Sequence, residues 1–140
     1  MKFAANTFAT ARLGLVASDL QAGSGGTDGT GIDFKGFDEC LVIVNSGTNT
    51  STGSLDVIVE ECATVGGTYA AVSGAVFTQI LAANDNTIYQ GRIDLRKRMR
   101  FLRINAVGDG SNAAIASVSF IALNPNQGPA VATNTNVFDV

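Results

Sequence analysis

The chain has 140 residues, 46% of them hydrophobic, a net charge of −3 and only 15% charged residues, which suits one compact domain with a real core. An acidic balance of this kind argues against non-specific nucleic-acid binding, since that needs a broad basic surface. No apolar run approaches the roughly 18 residues of a membrane span, and the complete absence of histidine removes the commonest general base and zinc ligand.

Residues 1–18 mix apolar and small polar residues and read as a first strand, an arm reaching to a neighbour, or both in succession. Asn6, Thr7, Thr10 and Arg12 interrupt any signal-peptide core, so synthesis in the cytoplasm is expected. Gln21–Gly31 is a flexible loop by composition, and Ile32–Phe37 is a short strand or an entry to one. Asp38–Asn45, DECLVIVN, is the most apolar segment and should be a central strand. Ser54–Cys62 alternates Leu55, Val57 and Val59 against Asp56, Ile58 and Glu60, the period-2 mark of a half-buried strand. Matching buried faces pairs these two strands with Val42 opposite Val59 and Val44 opposite Val57. In that register Cys40 faces Glu61 and Cys62 points to the other side of the sheet, so both thiols are expected to be free.

Tyr69–Val72 and Ala75–Ile80 read as two short strands around Ser73-Gly74. After the turn Asn84-Asp85-Asn86, Thr87–Asp94 and Met99–Val107 read as a core hairpin joined by the basic turn Leu95–Arg98. A last strand spans Ala113–Leu123. The segment after it contains Pro125, Pro129 and Gly128 and is expected to be an extended C-terminal arm over 125–140. These elements predict an all-β fold: an antiparallel β-sandwich, jelly-roll-like, with seven to nine short strands. It forms a single domain over 1–140, with a core at about 30–124 and arms at 1–18 and 125–140. Val42, Val44, Val57, Val59, Leu102, Ile104, Val118 and Phe120 should form its core.

No arrangement of residues carries catalytic chemistry. Glu60 and Glu61 are strand neighbours on opposite faces and cannot act as a carboxylate dyad. Cys40 and Cys62 cannot complete a four-ligand zinc site. The loop Gly23–Gly31 has no phosphate-binding pattern. No enzyme activity, catalytic residue, metal or cofactor is therefore expected. Six of the nine Lys and Arg residues lie between Arg92 and Arg103. Arg96, Lys97, Arg98 and Arg100 are the candidate partner-binding residues, for an acidic surface. A solvated turn that guards a sheet edge is the competing reading.

The order of segments DFKGFDECLVIVNSG, LDVIVEECATVGGTYAAV, NDNTIYQGRIDLRKRMRFLRI and NPNQGP resembles small structural proteins of tailed bacteriophages. Val44-Asn45-Ser46-Gly47, Glu60-Glu61, Gly67-Thr68-Tyr69, Tyr89 and Arg100–Ile104 carry the likeness over about residues 32–125. The resemblance implies a virion protein, a head decoration or cement protein bound to the outside of the capsid. It also implies a homotrimer clamping adjoining major capsid subunits; the acidic balance and the lack of a long apolar run leave neither nucleic acid nor membrane as an expected partner. A tail, collar or fibre-base protein, or a carbohydrate-binding β-sandwich module, are the alternatives. With no Trp and two Tyr, the chain offers little for sugar stacking.

Overall fold

The computed structural model describes residues 9–20, 23, 25–50 and 52–125. The first eight residues of the expected N-terminal arm, and the C-terminal arm from residue 126 on, lie outside them. Ten strands follow in order: β1 (Ala9–Asp19), β2 (Thr27–Asp28), β3 (Ile32–Asp33), β4 (Phe37–Asn49), β5 (Ser54–Cys62), β6 (Ala70–Val76), β7 (Ile80–Leu81), β8 (Ile88–Asp94), β9 (Phe101–Gly108) and β10 (Ala114–Pro125). Two short 3-10 turns, Ala82–Asn84 and Leu95–Lys97, flank β8. No helix among the described residues is long and apolar enough to cross a membrane.

All pairings are antiparallel and fall into two sheets. Sheet A has the order β1-β10-β4-β8; sheet B has β2-β9-β5-β6, with β3 also on β9 and β7 also on β5. The pairs nest: β1 with β10, β3 with β9, β4 with β8 and β5 with β6. One long hairpin rolled into two facing sheets gives this jelly-roll-like order. The all-β sandwich expected from the alternating segments is the fold observed.

The core fills the space between the sheets. Val42, Val44, Val57, Val59, Leu102, Ile104, Val118 and Phe120 are each at most 1% exposed, as their strand parity requires. Each such side chain contributes roughly 1.5–3 kcal/mol by leaving water. Phe34 meets Phe120 edge to face, with centroids 5.4 Å apart.

Two expected pairings are corrected. β8 and β9 do not form a hairpin: β8 lies in sheet A on β4, and β9 lies in sheet B on β5. The basic stretch between them therefore crosses from one sheet to the other. Leu95 plugs the core end at 8% exposure, and the Asp94 carboxylate caps the turn by accepting the Arg96 N–H at 3.1 Å. Likewise β4 and β5 are not side by side, so Val42 and Val59 share the core without being ladder partners. The physical reason is common to both errors. Alternation shows which face of a strand is buried, but a buried face is satisfied equally by a neighbour in the same sheet or by the sheet opposite, about 10 Å away.

The segment expected as two strands around Ser73-Gly74 is a single strand, β6, with the two-residue β7 following it. Gly74, at φ 80°, absorbs the irregularity where the β5–β6 register shifts.

Both cysteines are free and buried, although the register that led to that expectation is not the one formed: Cys40 is in sheet A and Cys62 in sheet B. Burial pushes the Cys40 thiol up to about 12, so little reactive thiolate exists at neutral pH. Alkylation without reductant should label neither thiol quickly in the native protein and both after denaturation, as read by intact mass.

Candidate docking face

The outward faces of the two sheets differ in chemistry. On sheet B, the Arg103 guanidinium lies between Glu60 at 2.7 Å and Asp28 at 2.8 Å and sits 4.4 Å over the Tyr69 ring. Asn105 donates to Asp28 at 2.8 Å, and Gln79 donates to Asp56 at 3.0 Å. This face also carries Ile58 and Val107, half-buried among the charge pairs. Its polar groups are spread along the strands, as expected of a sheet face turned to water.

Sheet A is different. The register places Ala11, Ile121, Leu41 and Arg92 in one cross-strand row, and Leu13, Ser119, Ile43 and Gln90 in the next. Their parity is opposite to that of the buried Val42, Val44, Val118 and Phe120, so these side chains point away from the core. Leu41, Ile43, Ile121 and Leu123 are half-buried, Leu13 is 59% exposed and Ile88 67% exposed. The two central strands, β4 and β10, thus carry aliphatic side chains on both faces, a trait of strands covered on both sides. Ser117, Ser119 and Asn45 also point outward on the central strands, and such groups are cheap to desolvate when a partner supplies hydrogen bonds.

Charge appears at one end of this face. Glu39 and Arg92 form an ion pair at 2.5 Å, and Asp94 and Arg96 form another at 2.7 Å. The Arg96 side chain, then its backbone amide, hold the Asp94 carboxyl down to about 2.

The four basic candidates lie on the crossing stretch behind this end, and three of them are engaged within the chain. Arg96 forks onto Asp94 through Nε at 2.9 Å and a terminal nitrogen at 2.7 Å. Arg98 reaches Glu61 at 3.4 Å, and the same carboxylate accepts the Met99 N–H at 2.8 Å. Arg100 forks onto Asp33 and lies 5.1 Å over the Phe101 ring. Its side-chain hydrogen bonds are the main cause of the lowered Asp33 pKa. Lys97 makes no ion pair among the described residues. The cluster is therefore a set of internal pairs, two exposed and the Arg98–Glu61 pair half-buried, rather than an open cationic patch.

The aliphatic side chains on the outer face of sheet A are the surface feature missed at the sequence level. The signal lies in the unbroken runs Cys40–Val44 and Phe120–Leu123, where neither parity is reserved for polar residues. No group of three or more His, Cys, Asp or Glu side chains among the described residues could hold a metal ion.

No protein-family model matches the chain, and no curated protein matches it. Among solved structures, the fold is similar to that of the SPBc2 prophage-derived protein YomS, at 15% identity and a TM-score of 0.56, covering 89% of this chain and 100% of that one. It is also similar to the PBSX exported protein XepA, at 13% identity and a TM-score of 0.55. That likeness covers 93% of this chain and 42% of XepA. At such identities the likeness is one of fold.

Proposed function

We propose that this chain is a structural, non-enzymatic component of a tailed-phage virion: a decoration protein that docks on the outside of the head against major capsid subunits. The observation that carries this reading is the apolar outer face of sheet A, set against the charge-paired outer face of sheet B. A protein that works alone in water gains nothing from concentrating aliphatic side chains on one sheet face, whereas a protein that spends its life against neighbours does. The prophage origin in the name of YomS and the order of phage-like segments from residue 32 to 125 support the same assignment.

In this reading the chain is one domain. It binds as a homotrimer, and weak contacts add up because many copies engage one lattice. The exposed end carrying Arg96, Lys97, Arg98 and Arg100 meets acidic groups of the capsid by exchanging its internal partners for external ones. Each exposed pair contributes only about 0–1 kcal/mol, so the test must remove several. Changing Arg96, Lys97 and Arg98 together to Ser should lower occupancy on purified heads and flatten its salt dependence. The melting temperature should move little, because Glu61 keeps its bond from the Met99 amide. Equal occupancy across a salt series would remove the basic end from the interface, and binding to tails but not heads would move the chain to a tail role.

A further inference from the structure

Between the last strands of the two sheets lies an open cleft of about 630 Å³. β8 ends sheet A and β6 ends sheet B, so two strand edges face one another across it. Its floor is Val42, Val59, Val72 and Ile93, which belong to the core, and Phe77 and Tyr89 stand half-buried in its wall. Strand edges with free backbone groups are templates for an added strand. Here bulk is missing where protection is usual: a Cβ on Gly74 would meet nothing within 4 Å. Three cations line the mouth. Arg92 and Arg98 are held by Glu39 and Glu61, which leaves Lys97 for a visitor.

We propose that this cleft accepts the chain's own C-terminal residues, Val137–Val140, as an added extended segment. Three observations lead to this occupant. The described chain leaves sheet A at Pro125, at the same end as the mouth: Pro125 pairs with Phe37 at the start of β4, and Glu39 of β4 pairs with Asp94. The exit is two strand spacings from β8, about 10 Å, while residues 126–140 can extend to about 50 Å. The segment matches the cleft in chemistry, with Phe138 and Val140 on one side of an extended strand for the apolar floor. Asp139, the only charged residue after Pro125, complements Lys97. A tether this short gives an effective concentration in the millimolar range, which favours the same chain over a neighbour. The cleft borders the outer face of sheet A at Gln90 and Arg92, and filling it would cover both free edges.

Photo-crosslinking of the full chain tests this. With benzoylphenylalanine in place of Phe138, irradiation should give adducts of monomer mass that map to Val76, Phe77 or Tyr89. Lys97→Glu should lower the yield about threefold to fivefold, the scale of one exposed ion pair. Adding Asp139→Lys to that variant should restore it. The proposal is overturned by adducts mapped outside the cleft, by adducts of dimer mass only, or by a yield indifferent to both charge changes. Circular dichroism of each variant checks that the core is intact.

Discussion

Truncating Phe120 to alanine should cost about 3–5 kcal/mol of unfolding free energy, a large share of the 5–15 kcal/mol typical of a domain. Phe120 is 0% exposed on β10, the strand held between β1 and β4. Its ring meets Phe34 edge to face and lies against Gly14, where an added Cβ would come within 2.8 Å of it. The neighbours are strands locked in two ladders, so the space left behind cannot close easily and a cavity term adds to the lost transfer energy. Urea titration followed by circular dichroism should show a lower midpoint with an unchanged slope. A loss below about 1 kcal/mol would mean that the ring is not at the packing centre described.

The second large effect concerns assembly rather than folding. Replacing Leu41 and Ile121 together by Lys should weaken docking at least about a hundredfold, because two ammonium groups would be carried into an apolar contact at several kcal/mol each. Both side chains point away from the core, so the variant should remain folded and its melting temperature should shift by only a few degrees. Val107→Lys, on the outer face of sheet B, serves as the control and should dock normally. Sedimentation of each variant with heads gives the comparison. If the control loses binding and the double variant keeps it, the docking face has been placed on the wrong sheet.

Much of this architecture was legible in the residues, and the rest was not for identifiable reasons. Period-2 alternation in β5, β9 and β10 picked out the inward positions Val57, Ile104 and Phe120. It carried no information on which sheet a strand joins. Leu95–Arg98 therefore looked like a hairpin tip, although its buried Leu95 makes it a crossing between sheets. The free cysteines were expected from a β4–β5 register that does not form; Cys40 and Cys62 are free but lie in different sheets. The cationic cluster was visible as a cluster. Its pairing was not, because Asp33 and Glu61 come to Arg100 and Arg98 only through the tertiary fold. The proposed docking face lies on the runs Cys40–Val44 of β4 and Phe120–Leu123 of β10, which mark a strand as central but do not say what covers its outer side.

A density map of intact particles carrying this chain tests the central claim most directly, since it locates the protein, counts it and shows which face is covered. Copies are expected at repeated positions outside the head, with Leu41, Ile43 and Ile121 against a neighbouring subunit and the Arg103–Glu60–Asp28 network of sheet B facing solvent. A map in which the outer face of sheet A is open to water while sheet B makes the contact would contradict it.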